Sequence, residues 1–150
     1  MATPTQISAR RVAAVIAALL LSAGVSACGA TSHLGAAQRI VDVSEKDFTI
    51  KASPTRVVAG DVVFQARNRG PDAHELIVVH ESPGTALQLR SDGMTVSEEA
   101  LKSSIVGALE PGAPGSLREL RVRLAPGRYV LLCNMSGHYM GGMHTVVTVR

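Results

Sequence analysis

Cysteine is scarce in this chain: Cys28 and Cys133 are the only two among 150 residues. Exported domains commonly staple themselves with cysteine pairs, and this chain has no second pair to spend. A basic tract is also missing, because fifteen Lys and Arg are scattered among twelve Asp and Glu. A nucleic-acid surface needs clustered positive charge, so that class is excluded. The apolar stretch Val12 to Gly24 is 13 residues long and broken only by Ser22. That falls short of the roughly 20 residues a membrane-spanning helix requires. No Ser-His-Asp set and no carboxylate pair suited to hydrolysis presents itself, and the chain is expected not to be an enzyme.

What is present begins with an export signal. Arg10 and Arg11 precede the short apolar run, and Val25-Ser26-Ala27-Cys28 closes it. Charge, short apolar core and small residues in that order form a secretory signal pattern. The last four residues resemble the bacterial lipobox, in which the cysteine receives a diacylglyceryl group and becomes the first residue after cleavage. Residues 1–27 are thus expected to be a signal peptide, and residues 28–38 the lipidated Cys28 with a flexible tether. The mature protein is expected on the outer face of the cytoplasmic membrane, held by its lipid. Losing Arg10 and Arg11 and no acid lowers the formal net charge from +3 to +1 (3 − 2). Cys133 then stands alone, and a lone exported thiol could pair with another chain, sit buried, or bind metal as the thiolate.

The remaining residues, 39–150, suit one domain with its own core. Strand signals recur over 40–50, 57–59, 62–66, 74–80, 117–124, 129–132 and 145–149. Gly60-Asp61, Gly70-Pro71-Asp72, Ser82-Pro83-Gly84 and Pro126-Gly127 punctuate them as turns. An all-β antiparallel sandwich or barrel follows. Within a longer excursion, residues 97–106 read as a short helix, with Ser97 as cap, Glu98 and Glu99 in the first turn, and Gly107 after the end. Residues 110–116 read as a loop.

The chemistry concentrates in CNMSGHYMGGM, where Cys133, His138 and Met143 are spaced five residues apart. A thiolate, an imidazole and a thioether suit copper, whose electron-transfer sites combine two imidazoles, one thiolate and a weak axial thioether. Zinc seldom takes methionine, and calcium and magnesium want oxygen. The second imidazole must come from elsewhere. His33 lies in the tether. His144 follows Met143 directly and would face the other side of a strand. His74 and His80 would lie about 20 Å apart on one strand at ~3.3 Å per residue, so only one can join. His74, at strand entry after Asn68-Arg69-Gly70, is the choice.

The stretch DFTIKASPTRVVAGDVVFQARNRGPDAHELIVVH, followed by LAPGRYVLLCNMSGHYMGGMHTVVTV, resembles the cupredoxins, the small blue copper proteins. The likeness is to sulfocyanin-like and plastocyanin-like members and covers residues 40–150. It implies a Greek-key β-sandwich with one short helix, and one mononuclear Cu(I)/Cu(II) ion. It also implies His74, Cys133 and His138 as equatorial ligands and Met143 as the axial one. Two departures stand out: four residues separate Cys133 from His138 where many members have fewer, and Glu75 follows the first histidine where many have Asn.

Two functions share these ligands. One is a membrane-tethered carrier of single electrons, a monomer passing charge to a cytochrome or membrane oxidase. The other is copper storage, scavenging or delivery to a membrane oxidase, for which Met135 and Met140 are the suggestive residues. In the carrier reading His138 is the electron port, with Tyr139 and Met140 as an apolar rim.

Overall fold

The structure, a computed structural model, describes residues 39–83 and 87–150. The expected signal peptide, Cys28 and the tether with His33 lie outside the described residues. Among the described residues nine strands run in chain order: β1 (Arg39–Lys46), β2 (Thr49–Ser53), β3 (Arg56–Val57), β4 (Gly60–Asn68), β5 (His74–Glu81), β6 (Ile105–Gly112), β7 (Leu117–Leu124), β8 (Gly127–Leu132) and β9 (His144–Val149). One helix, α1 (Glu98–Leu101), stands between β5 and β6. The strands form a four-stranded sheet, β2-β1-β4-β7, and a five-stranded sheet, β3-β9-β8-β5-β6. β1 pairs with β4 and β3 with β9 in parallel, so both sheets are mixed.

Alternation along the strands places the core. Val41 and Val43 of β1, with Phe64 and Ala66 of β4, turn inward from the first sheet. Leu76 and Val78 of β5, Leu131 of β8 and Val147 of β9 meet them from the second. Two inner faces filling one layer of side chains make a β-sandwich. β5 is apolar on its other face too, because Ile77 and Val79 lie under the excursion with Val96 and Leu101. A strand covered on both faces reads as an unbroken apolar run, and LIVV in β5 is such a run.

Three elements differ from expectation. The run over 40–50 is a hairpin, not one strand: Lys46 pairs with Thr49 across an Asp47-Phe48 turn. The helix expected over 97–106 is confined to Glu98–Leu101, although Ser97 does cap it by accepting from the Ala100 N–H. Past Leu101 the chain is claimed by sheet pairing, with Ile105 opposite Val79 and Leu109 opposite Leu76. Residues 105–112 are therefore strand β6, including part of the expected loop.

Candidate metal centre

The sheets deliver the ligand candidates to one end of the sandwich. His74 is the first residue of β5, and Cys133 follows the last residue of β8. The chain from Cys133 loops out through His138 and returns at Met143, just before β9. Two backbone bonds close this loop: Cys133 N–H to the Met143 carbonyl (3.1 Å) and Met143 N–H to the His138 carbonyl (3.0 Å). His74 Nδ1 lies 3.4 Å from His138 Nδ1, and Cys133 Sγ lies 3.3 Å from the same atom. The three donor atoms all fall within 4.8 Å of one another. His74, Cys133 and Met143 are buried, while His138 is half-buried. Met143 shares the core cluster of Cys133, and His144 points away and is exposed.

The approach to His74 is fixed by Asn68. Its side-chain amide donates to the carbonyls of Asp72 (2.7 Å) and Gly112 (2.9 Å), and its Oδ1 accepts from the Gly70 N–H (2.9 Å). The Asn-x-Gly turn is thus tied both to itself and to β6. Nearby, the Arg118 guanidinium bonds the buried Glu45 carboxylate and the Glu110 carbonyl, joining the two sheets at this end.

Asn134 holds the other side. Its Oδ1 accepts from the Val96 N–H (2.6 Å), and its amide donates to the Val96 carbonyl (3.0 Å) and the Glu98 carboxylate (2.8 Å). Its own backbone N–H donates to Glu75 Oε1 (2.9 Å). Glu75 is therefore bonded to backbone beside Cys133, in the place where many cupredoxins carry Asn.

Burial dominates the electrostatics here. It pushes the Cys133 thiol up, against backbone N–H groups of Met135 and Glu75 that favour the thiolate. Burial, aided by the neighbouring His138, pushes His74 below the usual imidazole range, although Asp47 pulls the other way. The site without metal thus favours neutral donors. Two imidazole nitrogens, a thiol able to ionise onto a cation and a buried thioether fit a single type 1 copper ion.

Around His138 the surface is apolar. Phe48, Met94 and Met140 are 53 %, 47 % and 56 % exposed. Phe48 meets the His138 ring edge-on, with centroids 5.7 Å apart and planes at 67°. Ser136 Oγ donates to the Met94 sulfur at 3.7 Å. Tyr139 instead stacks on His144 at 5.0 Å and packs on the outer cluster with Ile77 and Val79. Sequence reasoning missed Asp47, Phe48, Met94 and Asn134. Each reaches the site from a segment distant from the ligand loop, or by a backbone contact that leaves no local pattern.

A β-sandwich with such a donor set at one end is the cupredoxin architecture. No protein-family model and no curated protein sequence matches the chain. Solved structures do match. Auracyanin from the photosynthetic bacterium Roseiflexus castenholzii aligns over 74 % of this chain and 96 % of its own, at 19 % identity and a TM-score of 0.54. Auracyanin A, a blue copper protein from Chloroflexus aurantiacus, aligns over 75 % and 99 %, at 19 % identity and 0.55. Rusticyanin from Thiobacillus ferrooxidans aligns over 75 % and 77 %, at 15 % identity and 0.54. The chain has the cupredoxin fold.

Proposed function

We propose that the protein is a membrane-tethered type 1 copper protein that carries single electrons outside the cytoplasmic membrane. The observation that carries this reading is the convergence of His74, Cys133 and His138 within 4.8 Å, with Met143 buried beside them. When bound there, copper supplies a one-electron Cu(II)/Cu(I) couple. The chain's part is to hold four donors still. Asn68 fixes the entry to His74, Asn134 fixes the exit from Cys133, and two backbone bonds close the 133–143 loop. Donors held that firmly keep one arrangement through both oxidation states, which favours fast transfer. His138 is the electron port. Its rim is formed by Met140 with Phe48 and Met94, while Tyr139 turns to His144 and the outer cluster, and that rim suits brief contact of a monomer with a cytochrome or membrane oxidase. The role is non-catalytic.

Loading with copper(II) is expected to give an intense blue or green colour, abolished in Cys133→Ser; a faint, thiolate-free spectrum in the wild type would sink the reading. The tether is checked separately: wild type should partition into detergent with membranes and Cys28→Ala should not be lipidated, whereas a wild type in the aqueous phase would mean ordinary secretion. Copper delivery is the second reading, favoured by the exposed thioethers of Met94 and Met140 beside the port. Transfer of copper to an apo-oxidase subunit, with slow electron exchange, would put delivery first.

A further inference from the structure

The two-residue turn between β1 and β2 touches both histidines. Asp47 Oδ1 lies 3.1 Å from His74 Nε2, close but not aligned as a hydrogen bond, and neither atom has any other polar partner among the described residues. His74 Nδ1 faces His138 and the thiol, so a neutral His74 that offers Nδ1 as a donor carries its proton on Nε2, toward Asp47. Asp47 is 28 % exposed, which spares its carboxylate the full cost of burial. The next residue, Phe48, sits at φ +59° and lays its ring against His138. The second position of such a turn ordinarily favours Gly or Asn at positive φ. A bulky side chain held there marks backbone strain, of the kind that collects at functional sites.

Gly70 supplies the space on the far side. A Cβ at that position would lie 2.6 Å from Asp47 Oδ1 and 2.8 Å from His74 Nε2. The glycine's φ is not positive, so its lack of a side chain, and not its backbone freedom, is what the site uses.

We propose that the Asp47-Phe48 turn is a clamp for both histidines, with Asp47 a positioning residue that fixes the tautomer and ring plane of His74, and Phe48 the buttress of His138. The inference rests on the copper reading. A carboxylate behind a metal-bound imidazole orients the ring and raises its basicity, which strengthens binding of copper(II) and lowers the potential.

Asp47→Ala is expected to weaken copper(II) binding by roughly 10–100-fold and to raise the reduction potential. Asp47→Glu should recover much of both, and Gly70→Ala, which crowds the pair from the other side, should reproduce the loss. Phe48→Asn suits the turn yet removes the ring, and should release copper to a chelator several-fold faster. In the diamagnetic copper(I) protein, the His74 Nε2–H resonance should exchange slowly with water in the wild type and rapidly in Asp47→Ala. Unchanged affinity, potential and ring N–H exchange in Asp47→Ala would overturn the clamp. If the wild type binds no copper, the copper reading fails on its own, and ring N–H exchange in the metal-free protein still decides whether Asp47 holds His74.

Discussion

The two ends of the sandwich are built from different material. Among the described residues the buried polar side chains are Glu45, Asn68, His74 and Asn134, and all four lie at the ligand end. The opposite end is closed by Val57, Val62, Leu124, Val149 and Tyr129, whose hydroxyl donates to the Ala125 carbonyl at 2.9 Å. A buried polar group costs stability unless every bond is made, and its partners must then stand in one place. The ligand end thus trades stability for fixed geometry, and the opposite end supplies stability without directional demands. Burial pushes His74 down and Glu45, Glu75 and Cys133 up, so all four are driven toward neutrality at the ligand end. A cation bound there reverses that bias for the thiol, which must release its proton. β1 also separates the ends: it starts at Arg39 and reaches the clamp eight residues later, about 25 Å away at ~3.3 Å per residue.

The largest effect expected is at the opposite end. Leu124, 2 % exposed and paired at Gly60, lies in the core where neighbouring strands leave little room to collapse. Leu124→Ala should lower the unfolding free energy of the metal-free protein by about 2–5 kcal/mol in a denaturant titration. The colour and potential of the copper form should stay at their wild-type values. A shifted absorption band in that variant would mean that the two ends are mechanically coupled and do not divide stability from geometry.

The same division explains what could be read from the chain. Cys133, His138 and Met143 were legible because one loop holds all three, and residue type alone names a metal with such tastes. His74 was legible because an Asn-x-Gly turn precedes it. The clamp was not, because residues 40–50 carry the composition of one strand. The signal lay in phase: Val41, Val43 and Glu45 face inward at a spacing of two, whereas the next inward residue, Ile50, is five further on. An odd step reverses the face of a continuous strand, so a turn must intervene. β6 was hidden for a different reason. Its glycines and Pro111 imitate a loop, and Glu98 and Glu99 extended a real helix start into a stretch that Val79 and Leu76 capture by pairing. Sheet neighbours outweighed local preference there.

The smallest effect expected is at the port, and it separates the ends by kinetics alone. Met140 is exposed beside His138, so a lysine there remains solvated in the free protein and scarcely alters copper, since an exposed charge is screened by solvent and salt. In a transient complex the same charge must lose water against an apolar partner surface, and rim charges act mainly on encounter. Met140→Lys should therefore slow electron exchange with a cytochrome by roughly 2–10-fold while colour and potential hold. Val58, exposed at the opposite end, is the matched control, and Val58→Lys should exchange at the wild-type rate. Stopped-flow reduction of the two variants tests the pair directly. Equal slowing in both would show that net charge, not the port, governs encounter. A Met140→Lys protein that exchanges at full speed but no longer passes copper to an apo-oxidase subunit would move the apolar rim from electron transfer to metal delivery.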